Sequence, residues 1–317
     1  MHAPLWLPAG CILACLPVVF LLIPESTTRD RGHIDWLGAV LLSLGLGAAM
    51  LALAQGGTWG WASAQMISLF IGAIVLLAGF AATELRVPEP LVDLRAIAGR
   101  SMAPLYVLSF VLGATLFGAE TAGATFSATP KMFGFGFGLD TLGLALTALP
   151  TSMAMLIAAT FADRVARAVS PRATLIAAFG LVALGYLGMA GFHAQLWQTI
   201  SSGVLVGLGT GFALGALPTV IMVGLPADQT GIGIGLYNTL KALAGSVVSA
   251  VFAVVMNRNL LKLPIPGVKL SDQHAYVLVW SACAAIALLG VLVATAVRAS
   301  AATRTEDTIL AAATTAA

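Results

Sequence analysis

Charged residues are scarce in this chain of 317 residues: Asp, Glu, Lys and Arg make up 9% of it, whereas 59% of the residues are hydrophobic. A soluble domain normally carries about 25% charged residues, so the composition excludes an ordinary soluble domain and indicates a protein that crosses a membrane many times. The net charge of +2 identifies no partner, because in a membrane protein the distribution of charge matters more than its sum.

The residues from which catalytic and metal sites are built are also few. The three cysteines lie in apolar stretches without metal-site spacing, and the four histidines are scattered. The sequence contains no catalytic triad, HExxH motif, Walker loop or paired carboxylates. We therefore expect a protein that is not an enzyme, with no metal or other cofactor and no nucleic-acid partner.

Long apolar stretches are abundant instead. Roughly 20 apolar residues, at a rise of 1.5 Å each, cross the hydrocarbon core of a bilayer. The first stretch resembles a signal peptide, but no basic residue precedes it and it runs long without a small-residue cleavage site, so we interpret it as a span. We expect an all-α polytopic membrane bundle of about nine transmembrane helices: residues 5–23, 36–54, 66–83, 102–127, 142–161, 173–191, 199–225, 231–255 and 276–297.

Arginine and lysine are distributed unevenly between the two sets of loops. Ten lie in the loops after spans one, three and five and in the C-terminal segment, and four lie in the opposite loops. The positive-inside rule then places the C-terminus in the cytoplasm, and we expect the protein in the inner (plasma) membrane. Nine is odd, so the N-terminus is expected outside, and its lack of compensating charge suggests that further sequence precedes Met1.

One carboxylate, Glu120, falls well inside the fourth apolar stretch. Inserting such a charge into a bilayer costs a few kcal/mol. Burial among apolar neighbours would favour the protonated carboxyl, and Phe117 and several small residues leave room beside it. We interpret Glu120 as a site that exchanges a proton for a cation, with a structural hydrogen bond and a water-facing position as the alternatives.

Lys241 is the other charge that lies clearly within an apolar stretch. Two roles are open: its ammonium extends toward the cytoplasmic face, which we favour, or it pairs with Glu120. Counted from the cytoplasmic ends of their spans, the two residues differ in depth by about 10 Å.

Small residues recur at every fourth position of span seven, where they share one helix face: Gly203, Gly207, Gly211 and Gly215. Such spacing permits close packing between helix backbones in a membrane. Static packing and a contact that slides during a transport cycle are both open. The run MFGFGFGL at residues 132–139 is interpreted as an interfacial aromatic anchor rather than a binding site.

Four stretches resemble the major facilitator superfamily, in particular its fourteen-span drug:proton antiporters of the EmrB/QacA type. The stretches are IPES followed by DWLGAVLLSLGLGAAMLALAQG (residues 23–26 and 35–56), PEPLVDLRAI (88–97), GLALTALP with FADRVARAVSPR (143–150 and 161–172) and GLYNTLKALAGSVVSAV (235–251). The third is similar to the superfamily's G-x-x-x-D-R-x-G-R loop. Asp163 and Arg164 stand in the matching places of this conformational loop, and alanines replace its glycines.

The resemblance covers about residues 5–297 and implies a division of the chain. Residues 1–27 would match the family's sixth span, residues 28–101 a central two-span hairpin with a cytoplasmic linker, and residues 102–297 the C-terminal six-helix bundle. Residues 298–317 would form a disordered cytoplasmic tail. The family's first five spans have no counterpart here.

The function that the resemblance implies is proton-coupled efflux of amphiphilic, cationic small molecules. Its partners would be the substrate, protons, the lipid bilayer and a separate N-terminal half. Substrate and proton would alternately neutralise Glu120, with Phe117 and Lys241 nearby. The alternative is a truncated remnant that transports nothing by itself or needs a separate N-terminal half.

Overall fold

The computed structural model describes residues 3–22, 36–86, 99, 101–226, 229–261 and 270–297. These residues are almost entirely helical. The helices are α1 (Ala3–Leu22), α2 (Trp36–Trp59), α3 (Ala64–Glu84), α4 (Ala103–Gly118), α5 (Glu120–Ala128), α6 (Thr141–Ala168), α7 (Pro171–Gly191), α8 (Leu196–Gly224), α9 (Thr230–Arg258) and α10 (Gln273–Thr295).

Within the part of the chain that the structure describes, eight segments are long and apolar enough to cross a bilayer: α2, α3, α4 together with α5, and each helix from α6 to α10. The expected fold class, an all-α polytopic bundle, is confirmed. The predicted first span corresponds to α1, a helix of 20 residues in a separate unit, Met1–Ile34. The predicted linker at residues 88–97 and the tail at 298–317 lie outside the described residues.

From Trp36 onward, the described helices belong to one compact unit. The helices from α4 to α10 form a bundle in which α6 packs on α8, α8 on α7, α7 on α10, and α4 on both α9 and α10. The segment α4–α5 is the most enclosed of the eight spans. Helices α2 and α3 pair as a hairpin, and α2 contacts α9.

Two clusters of buried side chains hold the bundle together. The first joins α4, α7 and α8 around Leu108, Phe179 and Leu217. The second is aromatic and lies at the end of the bundle where α5 ends and α10 begins. In it, the Phe126 ring meets the Trp280 ring edge-to-face at 5.0 Å and the Tyr276 ring at 5.3 Å. Edge-to-face pairs of this kind add stability beyond their buried area.

The alternating run after α5 supplies part of this aromatic cluster. Gly134, Gly136 and Gly138 have positive φ angles of 84°, 80° and 64°, a conformation that side chains with a Cβ rarely adopt. These turns place Phe135, which is buried, and Phe137 against Phe126. The prediction of an interfacial anchor is therefore wrong for Phe135, because the glycines turn this ring into the protein core.

Candidate functional site

The most enclosed membrane span is interrupted near its middle. Helix α4 ends at Gly118, and α5 begins at Glu120. Ala119 between them has φ −95° and ψ −2°, a sparsely populated backbone region in which many active-site residues are found. No proline causes this break within the span, so its cause lies in the packing around it.

Two hydroxyl groups from neighbouring helices bind the carbonyls just before the break. The buried Tyr186 hydroxyl of α7 donates to the Thr115 carbonyl at 2.5 Å. The Ser249 hydroxyl of α9 donates to the Phe117 carbonyl at 3.1 Å. An interrupted helix is tolerated inside a membrane only where neighbouring groups satisfy the freed backbone. Tyr186 and Ser249 therefore stabilise the break, and no local sequence signal marks either residue for this role.

Glu120 is the first residue after the break, and its side chain is exposed on the surface of the described chain. The expectation that apolar neighbours of this chain bury Glu120 is wrong. Glu120 follows the break at Ala119, beyond the part of the segment in which Gly113 and Gly118 contact α9. The exchange site, the structural hydrogen bond and the water-facing position stay predictions.

A cleft of about 1030 Å³ opens on the same side of the segment. Phe117 and Thr121 line its wall, and both are exposed like Glu120 between them. Glu120 precedes Thr121 directly in sequence but is not itself among the residues that line the cleft. Small side chains and hydroxyl groups of α9 form the facing wall, and α2 with the turn that follows it closes a third side: Ala242, Gly245, Ser246, Ser249, Gly56 and Trp61.

Phe117 connects the break to α9. Its ring rests on Gly245, where an added Cβ would lie 2.6 Å from the ring. One side of the Phe117 ring therefore packs on the backbone of α9, and the exposed part of the ring faces the cleft. Phe117 and Glu120, which the sequence analysis assigns to one site, are thus both exposed and lie one turn apart, on either side of Ala119.

Lys241 lies near the same helix pair but at a different depth. Its ammonium donates to the Asn238 side-chain oxygen at 3.0 Å and lies 4.7 Å from the centre of the Tyr237 ring. Both residues precede Lys241 by about one turn, so the side chain extends toward the end of α9 expected in the cytoplasm. The structure describes both Lys241 and Glu120, and these two residues form no ion pair with each other.

The D-R pair of the expected conformational loop lies within a helix. Asp163 and Arg164 belong to the last turns of α6, which continues to Ala168. Asp163 pairs with Arg167 at 2.7 Å, and Arg164 lies 5.3 Å from the centre of the Phe161 ring. The prediction of a loop here is wrong, since alanine occupies the two glycine positions and an i, i+4 ion pair supports the helix.

The glycine face of α8 packs directly on α6. Added Cβ atoms at Gly207 and Gly211 would clash with the Thr151 and Met155 carbonyl oxygens, and one at Gly215 would lie 2.5 Å from the Ala162 Cβ. The matching face of α6 also has small residues at every fourth position: Ala154, Ala158, Ala162 and Ala166. This stripe of alanines is the sequence signal that identifies α6 as the partner of α8.

A bundle of membrane-spanning helices in which one helix is interrupted is an arrangement found in secondary transporters. The family model for the Major Facilitator Superfamily matches residues 5–249. The chain belongs to this superfamily.

Several curated relatives are transporters of the same superfamily or export proteins. An uncharacterized transporter of the superfamily from Mycobacterium tuberculosis is 29% identical over 69% of this chain and 31% of its own length. Multidrug resistance protein 3 of Bacillus subtilis is 28% identical over 62% of this chain and 38% of its own. The tetracenomycin C resistance and export protein of Streptomyces glaucescens is 26% identical over 78% of this chain and 45% of its own.

The chain thus spans about a third to a half of the length of these relatives. Their names point to transport rather than to catalysis as the activity of the family. The compounds that these names mention are exported by the full-length relatives.

Proposed function

We propose that this chain is the C-terminal part of a drug:proton antiporter of the fourteen-span type, which exports amphiphilic, cationic small molecules. The names of two relatives, a multidrug resistance protein and an antibiotic export protein, support this class of substrate. The observation that carries the proposal is the exposed Glu120 at the interruption of α4 and α5, between Phe117 and Thr121, which both line a cleft.

The proposed mechanism is competition for one negative charge. A cationic substrate in the cleft neutralises the Glu120 carboxylate, with its apolar part against Phe117. A proton then replaces the substrate on the carboxylate and releases it. Because neither ligand binds well while the other is present, uptake of a proton drives release of a cation.

Alternating access requires a second bundle on the open side of the cleft. We propose that a separate N-terminal half covers the exposed face that holds Phe117, Glu120 and Thr121, and that the two halves rock around it. This arrangement would enclose the carboxylate from both sides. We further propose that the protein lies in the inner membrane with the end of α10 in the cytoplasm.

Export driven by a pH gradient tests the proposal. The chain should be expressed together with any coding sequence that precedes Met1 in its reading frame, and efflux of ethidium from loaded cells should be followed by fluorescence. Glu120→Gln keeps the size of the side chain but removes the titration, so efflux should fall to background at unchanged protein level. Glu120→Asp should retain part of the activity with a shifted pH optimum. Full pH-driven efflux by Glu120→Gln would reject Glu120 as the exchange site.

A further inference from the structure

A second cavity, the end pocket, has a volume of about 750 Å³ and lies where α5 and α7 end and α8 and α10 begin. Three parts of the chain line it: the turn that holds Lys131 and Phe137, the connection between α7 and α8, and Gln273 at the start of α10. It shares none of its described lining residues with the cleft beside Phe117. The end pocket is therefore a separate site.

The wall of the end pocket is held in place by His193. Its Nε2 atom lies at hydrogen-bonding distance, 2.7 Å, from the Gln273 amide, which joins the connection between α7 and α8 to α10. The same ring packs against the Phe126 and Trp280 rings, at centroid distances of 5.7 Å and 5.6 Å. A pocket with fixed walls of this kind is largely formed before a ligand binds.

Two glutamine side chains of the lining present their amide nitrogens as donors. The Trp197 indole N–H donates to the side-chain oxygen of Gln195 at 2.5 Å. The Gln195 backbone N–H donates to the side-chain oxygen of Gln198 at 3.0 Å. Because an N–H group occupies each amide oxygen, the orientation of both amides is determined. Their NH₂ groups, which only donate, have no acceptor among the residues that the structure describes and remain available to a ligand.

Lys131 adds a positive charge to these donors. It lines the pocket, is exposed, and forms no ion pair with any residue that the structure describes. No Asp or Glu occurs among the described lining residues. Hydrogen bonds between an ionised donor and an oxyanion are about twice as strong as neutral ones. The end pocket is therefore suited to an anion with several oxygen atoms.

Exposed apolar side chains lie beside this polar lining. Phe192 of the lining is 68% exposed, and the neighbouring Trp197 and Met132 are 63% and 81% exposed. Tryptophan near the end of a membrane helix is typical of the level of the lipid headgroups. Donors next to exposed apolar groups fit a ligand whose anionic group and apolar chains are joined, as in a phospholipid.

We propose that the end pocket binds the phosphate group of an anionic phospholipid, whose oxygens accept hydrogen bonds from Lys131, Gln195 and Gln198. The acyl chains lie against Phe192 and Trp197. Basic pockets between membrane helices bind lipid headgroups in this way. The site is independent of the exchange site and goes beyond the proposed function. A water-soluble phosphate ester carries the same oxyanion without acyl chains, so it distinguishes a free phosphate from a lipid as the source.

Isothermal titration calorimetry of the purified full chain in an uncharged maltoside detergent tests the inference. The ligands are dihexanoyl phosphatidylglycerol, glycerol 3-phosphate, which lacks the chains, and dihexanoylglycerol, which lacks the phosphate. The wild-type chain should bind phosphatidylglycerol about tenfold more tightly than either of the others, because one lacks the apolar contact and the other the charge-assisted hydrogen bonds.

Two variants should weaken the binding of phosphatidylglycerol. Lys131→Gln should weaken it about fivefold, the effect of one basic residue near a membrane surface. Gln195→Glu keeps an oxygen that accepts from Trp197 but places a negative charge against the phosphate. This variant should weaken binding by about tenfold or more, since a hydrogen bond to a charged group is replaced by repulsion.

Two further variants change the charge at the same end of the bundle but outside the end pocket. Arg258→Gln removes a basic group at the end of α9, and Gln65→Glu adds an acidic group in the first turn of α3, both at exposed positions. Both should bind phosphatidylglycerol like the wild type.

Unchanged binding by Lys131→Gln and Gln195→Glu overturns the inference, and so does an equal loss in Arg258→Gln. If dihexanoylglycerol binds as tightly as phosphatidylglycerol, the pocket does not recognise a phosphate. If glycerol 3-phosphate binds as tightly, the assignment of a lipid as the source of that phosphate is overturned.

Discussion

Replacing Gly211 by alanine adds one methyl group at the tightest part of the contact between α6 and α8. The new Cβ would clash with the Met155 carbonyl oxygen and lie 2.8 Å from the Ala158 Cβ. Neither neighbour is the flexible end of a side chain, so the helices must separate. Overpacking of this kind typically costs about 1–3 kcal/mol, while alanine gains about 1 kcal/mol over glycine in helix propensity.

A second glycine separates the two contributions. Gly180 of α7 has no atom within 4 Å of an added Cβ, so Gly180→Ala receives the same gain in propensity without the clash. The free energy of unfolding should therefore be about 1–3 kcal/mol lower for Gly211→Ala than for Gly180→Ala. Gly211→Leu should lower both the yield and the melting temperature further.

Thermal unfolding of the purified chain in detergent, with each variant compared with the wild type, measures this difference. If Gly211→Ala is as stable as Gly180→Ala, the glycine face of α8 does not pack against the backbone of α6. The argument for close helix packing would then be refuted.

Three further outcomes are expected. Tyr186→Phe removes the donor to the Thr115 carbonyl and should lower the free energy of unfolding by about 1–3 kcal/mol, the cost of an unsatisfied buried acceptor; a stability equal to that of the wild type would show that this bond does not hold the break. Gly136→Ala should destabilise the chain by about 1–2 kcal/mol, because alanine is disfavoured at φ 80° and a Cβ would collide with the Thr129 carbonyl. Gly123→Ala is the control, because an added Cβ at Gly123 meets no other atom. In a variant without the native cysteines, Ser170→Cys should react with a membrane-impermeant thiol reagent only from the cytoplasm and Ala194→Cys only from outside; labelling of both from one side would contradict the span count between them.

The sequence predicted the membrane spans well because insertion into a bilayer depends on local hydropathy. It also predicted a packing face on α8, since glycines at every fourth position necessarily share one side of a helix. The structure adds the partner of that face, which depends on the alanines of α6.

The interruption at Ala119 could not be predicted from the sequence. Neither a proline nor a pair of glycines marks it, and the hydroxyls that stabilise it come from Tyr186 and Ser249, which are distant in sequence. The exposure of Glu120 has a related reason: which side of a mostly apolar helix faces its neighbours depends on residues distant in sequence, such as those of α9 that pack on this segment. The D-R pair was assigned to a loop by its resemblance to a family motif, although its alanines favour the helix that is observed.

The competition between a proton and a cation for Glu120 is tested most directly by binding at several pH values. Affinity of the purified chain for ethidium should fall as the pH is lowered, approaching a tenfold loss per pH unit, because one proton displaces one cation. Glu120→Gln should bind ethidium weakly and equally at every pH. Asp272→Asn is the control, since Asp272 precedes α10 without a side-chain capping bond, and it should behave like the wild type. A wild-type affinity that does not change with pH, or a Glu120→Gln variant that keeps the wild-type pH dependence, would contradict the account.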